Sequence, residues 1–126
     1  MRYLLDTSFA IDVLRNDPGA VHRFTRLFEL GDDAFINDVV VCELATGARP
    51  ADEAGLAALI RAVEFVQPGP EVASLAGQWR SQARRHGLTI SVPDAMIAAT
   101  ADALRATVIT GNTRDFERLP VAIETY

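Results

Sequence analysis

Arg2-Tyr3-Leu4-Leu5-Asp6-Thr7-Ser8 is the stretch that decides the fold. Residues 2–5 make a short, mainly apolar run that closes on a carboxylate, as a buried strand does when it reaches a sheet edge. Thr7 or Ser8 is then placed to cap a helix running to about Leu14. A strand that passes at once into a helix begins an α/β pattern, and the chain repeats it. Asp17-Pro18 is a cap followed by a first-turn proline, and Gly31 stops that helix. Val21, Phe24, Leu27 and Phe28 share one of its faces. Ala34-Phe35-Ile36 reads as a second strand, with Asn37 or Asp38 capping the helix after it. Val41, Leu44, Ala45 and Ala48 give that helix an apolar face at i, i+3, i+4, i+7, and Leu56, Leu59, Ile60 and Val63 do the same for the next.

Glu64–Gln67 is a candidate third strand. Val72, Leu75, Ala76, Trp79 and Ala83 mark a long helix ending at Gly87. Ser91-Val92-Pro93-Asp94 opens another, with Ile97, Ala98, Ala101 and Leu104 facing inward. Thr107–Thr110 and Val121–Thr125 are the last strands expected. Strands alternating with helices predict one α/β domain over residues 1–126, a three-layer sandwich whose mainly parallel central sheet is flanked by helices. The Pro/Gly clusters at 17–19 and 67–70 are turns rather than domain joints.

Of the 126 residues 49% are apolar and 23% charged, the balance of a globular domain. Seventeen acids oppose twelve bases, for a net charge of −5, and every base is Arg. The absence of Lys excludes a P-loop lysine, a Schiff-base lysine and a lysine general base. The acidic balance excludes binding of polyanions by net charge alone. Cys42 is the single cysteine, so no internal disulfide forms. Beside Val39, Val40 and Val41 it is expected to be buried. The first apolar run is too short for a signal peptide, and no run suits a membrane span, so a cytoplasmic protein without a membrane segment is expected.

Four acids stand out by position. Asp6 ends the first strand, and Asp115 lies just past the strand that ends at Thr110. Glu43 is one turn into the helix after the second strand, and Asp94 is in the first turn of its helix. In parallel sheets the carboxyl ends of the strands open on one crevice. Carboxylates gathered there repel one another until a proton or a cation relieves them. A carboxylate set without a His or Cys cluster favours Mg²⁺ or Mn²⁺. His22 and His86 have no metal-ligand partner at useful spacing and are expected at the surface. Asp12, Asp38 and Asp102 are expected to be solvated or capping. Mg²⁺ screens acids from phosphate oxygens and activates water, a route by which an acidic protein can cut nucleic acid.

These residues resemble the motifs of PIN-domain nucleases. Leu4-Leu5-Asp6-Thr7-Ser8 resembles the family's opening strand, and Glu43-Leu44 with Gly47 its second motif. Gly87, Ile90 and Asp94-Ala95 with Ile97-Ala98-Ala99-Thr100-Ala101 are similar to the third. Thr110-Gly111-Asn112-Thr113-Arg114-Asp115-Phe116 matches the closing Thr-x-Asn-x-x-Asp-Phe. The length and the Asp-Thr-Ser start look most like VapC-type toxins of bacterial type II toxin–antitoxin pairs. The resemblance implies an Mg²⁺- or Mn²⁺-dependent endoribonuclease. Asp6, Asp94 and Asp115 would hold metal directly or through water, and Glu43 would hold a metal-bound water or act as general base. Ser8, Thr110 and Asn112 would orient carboxylates or phosphate. Hydrolysis would leave a 5′-phosphate and a 3′-hydroxyl. It also implies a homodimer silenced by a cognate VapB-type antitoxin.

Positive charge must reach RNA through Arg. Arg114, beside Asp115, is the best placed to hold a phosphate bidentately, against a simple ion pair with Glu117. Arg80, Arg84 and Arg85 form a second group. Trp79 is expected in the core. A dehalogenase-like phosphatase would need a second Asp where Ser8 stands, and both it and a receiver-like domain rely on a lysine that this chain lacks. A catalytically silent interaction module is opposed by the intact four acids.

Overall fold

The computed structural model describes residues 1–126. β1 (Arg2–Leu5), α1 (Thr7–Leu14), α2 (Pro18–Glu29), β2 (Asp33–Asn37), α3 (Asp38–Gly47) and α4 (Glu53–Ala62) form the first half. A 3-10 turn over Pro50–Asp52 joins α3 to α4. β3 (Glu64–Val66), α5 (Pro70–Arg85), α6 (Val92–Leu104), β4 (Thr107–Ile109), α7 (Thr113–Phe116) and β5 (Ile123–Glu124) complete it.

All strand pairs are parallel, in the order β3-β2-β1-β4-β5. In register, Leu4 pairs with Phe35 on one side and Val108 on the other. A central parallel strand is covered on both faces, which explains why Leu4, Leu5, Val108 and Ile109 are apolar without alternation. The edge strand β3 has exposed Glu64 and Phe65. The strand order runs outward from β1 to β3 and then reverses at β1/β4. With right-handed crossovers, α5 and α6 lie on the face opposite α1–α4, giving the three-layer α/β sandwich that the alternation predicts.

Three helices, α2, α3 and α6, are capped by a side chain that accepts a backbone hydrogen. Asp17 accepts from Ala20, Asn37 from Val40 and Ser91 from Asp94. α6 is the core helix: Ala95, Ile97, Ala98, Ala99, Thr100 and Ala101 are all buried. Its small residues let it lie close to the sheet, so Ile97→Ala would cost about 2–5 kcal/mol.

Four details differ from the sequence pattern. The N-cap of α1 is Asp6, without a side-chain cap bond, and Thr7 and Ser8, expected as caps, lie inside the helix and turn their hydroxyls to Glu43 and Asp6. α3 turns Val40 and Leu44 inward, whereas Ala45 is exposed. That rotation also exposes Cys42, which is no core residue. The single turn of α7 has too little periodicity to be read from sequence.

Candidate active site

The reversal of strand order is where a parallel sheet opens a crevice at its carboxyl edge. Asp6 and Thr110 leave β1 and β4 at that point. The Asp6 backbone N–H still donates to the Ile109 carbonyl at 3.0 Å, so the side chain is fixed at the very end of the seam. Only 5% exposed, the carboxylate accepts from Ser8 Oγ and from Thr110 Oγ1, both at 2.8 Å on Oδ2. Each hydroxyl has one hydrogen and spends it on Asp6. Their lone pairs accept in turn from Gly111 N (3.0 Å, on Ser8) and Asn112 N (2.8 Å, on Thr110). The turn after β4 is thereby wired to the turn after β1.

The other three acids ride on helices. Thr7 Oγ1 donates to Glu43 Oε1 at 2.7 Å, so the first helical residue after Asp6 holds the α3 carboxylate. Asn37 caps α3 through Oδ1 and donates from Nδ2 to Thr100 Oγ1 at 3.1 Å. Thr100 donates to the Met96 carbonyl at 2.7 Å. This buried bridge fixes the helix of Glu43 against the helix of Asp94. Asp115 sits in α7, where the Asn112 amide donates to its carboxylate.

Asp94 reports the electrostatics. Its carboxyl is pushed up to about 6, first by burial and then by the charges of Asp115, Asp6 and Glu43, with the Ser91 hydroxyl pulling the other way. The acids from both sides of the crevice thus share one field. No three His, Cys, Asp or Glu side chains stand close enough to enclose one ion directly. An oxygen-only, mutually repelling set that does not close into a cage fits a hard cation that keeps part of its water shell. It does not fit a structural zinc site, which takes a compact set of four His and Cys ligands.

A model of the PIN domain matches residues 3–122. The chain belongs to the PIN-domain family. Within it the chain is of the VapC type. Ribonuclease VapC19 of Mycobacterium tuberculosis is 32% identical over 117 residues, covering 93% of this chain and 94% of that protein. The DNA-bound VapBC structure from Salmonella typhimurium superposes with a TM-score of 0.87 at 28% identity, over 99% of this chain and 98% of that one. VapBC2 from Rickettsia felis, bound to a promoter DNA fragment, shares the fold with a TM-score of 0.88 at 23% identity, over 100% and 99% of the two chains.

This PIN domain also has participants that its sequence motifs do not announce. Thr7, read only as a helix cap, is the partner of Glu43. Asn37 and Thr100, 63 positions apart, have no pattern that links them. Tyr126 packs its ring on Phe9 with centroids 4.7 Å apart and donates to the Asp12 carboxylate, so Asp12 is tied down rather than solvated. A Cβ at Gly111 would stand 2.6 Å from the Tyr126 hydroxyl, which is why glycine follows Thr110. Burial and the Asp12 contact hold that phenol above its ordinary range. His22 and His86 are exposed, as their surroundings suggest, and so is Arg114, which forms no ion pair with Glu117.

Proposed function

We propose that this VapC-type PIN domain is an Mg²⁺- or Mn²⁺-dependent endoribonuclease toxin that acts in the cytoplasm and is silenced by a cognate VapB-type antitoxin. The observation that carries the reading is the placement of Asp94 at the strand-order reversal: burial first, and then the charges of Asp115, Asp6 and Glu43, raise its carboxyl. That is a site in need of a hard metal, in a family whose 32%-identical relative is named a ribonuclease.

A bound Mg²⁺ or Mn²⁺ would supply positive charge to the phosphate and a water of lowered pKa. Asp6, Asp94 and Asp115 would hold it, in part through water. Asp6 is already pinned by Ser8 and Thr110, so it gives the fixed reference of the set. Glu43, half-buried and aimed by Thr7, would take the proton of the attacking water. Asn112 steadies Asp115, and the adjacent exposed guanidinium of Arg114 would meet a phosphate of the RNA.

An apolar groove beside Glu43, lined by Ile11, Leu14, Leu44 and Leu56, offers a seat for an antitoxin segment. Exposed Val92, with Val39 and Pro93, offers apolar surface for the homodimer that the resemblance implies. The test is cleavage of total RNA by the purified protein with Mn²⁺, with Asp6→Asn as control. Cleavage is expected to stop with EDTA and in the variant. Undiminished cleavage in EDTA would remove the metal from the mechanism.

A further inference from the structure

The stretch from residue 72 to 93 contains no acid, although the whole chain carries seventeen. It holds Arg80, Arg84, Arg85 and His86, on the C-terminal half of α5 and its exit. None of these arginines, nor Arg114 or Arg118, is in an ion pair; Arg2, Arg15, Arg61 and Arg105 are unpaired as well, and the acid-free stretch is what sets Arg80, Arg84 and Arg85 apart. The acidic molecule therefore keeps a separate surface of unneutralised positive charge.

That surface is tied to the crevice on two sides. Arg80 Nε donates to the Ile90 carbonyl at 2.8 Å, which binds α5 to the connector that leads into Ser91 and Asp94. On the other side α5 faces the segment that follows Asp115. An open cavity of about 230 Å³ lies between them, lined by Trp79, Gln82, His86, Leu88, Arg118 and Pro120. The remaining lining residue is Ala83, so no acid faces the space. Trp79 packs against the core yet borders the cavity. His86 Nδ1 contacts the Gln82 carbonyl at 2.9 Å and so carries the hydrogen there, which leaves Nε2 for a ligand. The cavity is smaller than the roughly 300–1,000 Å³ of clefts that enclose drug-sized ligands. It suits one flat ring with a phosphate beside it.

We propose that this cavity is a subsite for single-stranded RNA flanking the scissile bond. One unpaired base lies against Trp79, and Arg118, which lines the same cavity, takes the neighbouring phosphate. Aromatic surface beside unpaired guanidinium groups is the combination that binds single strands without reading sequence. The proposal rests on the ribonuclease reading and adds where the strand runs.

Trp79 is the only tryptophan, so its emission reports the subsite alone. Wild-type protein in EDTA is titrated with a fluorescein-labelled, unstructured RNA 12-mer. Label anisotropy gives binding and Trp79 emission gives contact. Saturable quenching of Trp79 that tracks the anisotropy is expected. Arg118→Glu should weaken binding about tenfold and reduce the salt slope by about 0.7 for the lost phosphate contact. Arg61→Glu, exposed on α4 at the opposite edge of the sheet, should bind as wild type. If the RNA binds and is cut with Mn²⁺ while Trp79 emission stays constant, or while Arg118→Glu matches Arg61→Glu, the subsite falls and the ribonuclease reading stands. If RNA is neither bound nor cut, both fall.

Discussion

Asp6 and Asp94 carry the same group to the same crevice under opposite conditions. Asp6 is the more buried, yet two hydroxyl donors meet its charge, and behind them two backbone N–H groups hold the donors. Asp94 is half-buried, receives less, and bears the repulsion of three neighbours. A buried carboxylate is stable where donors surround it and costly where only other carboxylates do. The strand-borne acid is thus held by a network of donors, whereas among the helix-borne acids Glu43 and Asp115 have one side-chain donor each and Asp94 bears the repulsion.

The strongest way to break this comparison is to neutralise each acid in turn. Asp6→Asn and Asp94→Asn should each lower RNA cleavage by about 10²-fold or more, because each would remove a carboxylate proposed to hold the metal. Their stabilities should move in opposite directions. In EDTA above pH 6, Asp94→Asn should raise Tm by a few degrees, since it removes a repelled charge. Asp6→Asn should lower Tm, since it presents an amide hydrogen to two hydroxyl donors. Equal shifts in thermal melts would erase the distinction between the two acids.

Thr110→Val comes next. It removes a donor to Asp6 and the acceptor for Asn112 N, at about 1–3 kcal/mol by urea unfolding. Metal affinity by titration calorimetry should fall about 10–100-fold, as for other residues that hold a ligand in place. Wild-type affinity in Thr110→Val would mean that the seam does not position Asp6.

The pH dependence of stability is smaller and its sign follows from Asp94. Its folded pKa of about 6 exceeds the ordinary 3.8, so the folded state holds a proton that the unfolded state has released. This stability is fully present below pH 3.8 and is lost as pH rises through 6. Allowing for solvent at a half-exposed group, the loss is on the order of 1–2 kcal/mol. Urea unfolding in EDTA at pH 5 and pH 7.5 should show it, Asp94→Asn should remove it, and Mg²⁺ should offset it at the higher pH. The smallest effect should be that of Thr7→Val, which frees Glu43 from its one side-chain donor at about 1 kcal/mol or less. Its cleavage rate should fall while metal affinity holds, since Glu43 is the proposed proton acceptor.

Much of the fold was legible because its signals are local. Apolar runs closing on Asp6 and Thr110 marked the central strands, and Pro-containing caps marked α2 and α6. The four acids were legible because strand ends and first helical turns share one edge of a parallel sheet. What was not legible depends on rotation or on distance in the chain. The turn of α3 that exposes Cys42 and buries Val40 is one residue's rotation away from the face expected. The Asn37–Thr100 bridge and the seat of Tyr126 over Gly111 are long-range contacts between residues that each suit many surroundings. α7 is a single turn, so Asp115 was placed by its motif and not by a helix.

The seam between β1 and β4 also sets a time for the site. Asp6 and Thr110 are bonded across 104 positions of sequence. Contacts that close so long a loop form late, after the local helices that need no such search. During synthesis β1 must wait for residues 107–109 before its neighbour on that side exists. Until then Asp6 has no Thr110 donor, and Asp115 has not been made. Whatever helical structure the growing chain acquires, its chemistry is withheld until Thr110 and Asp115 have been made.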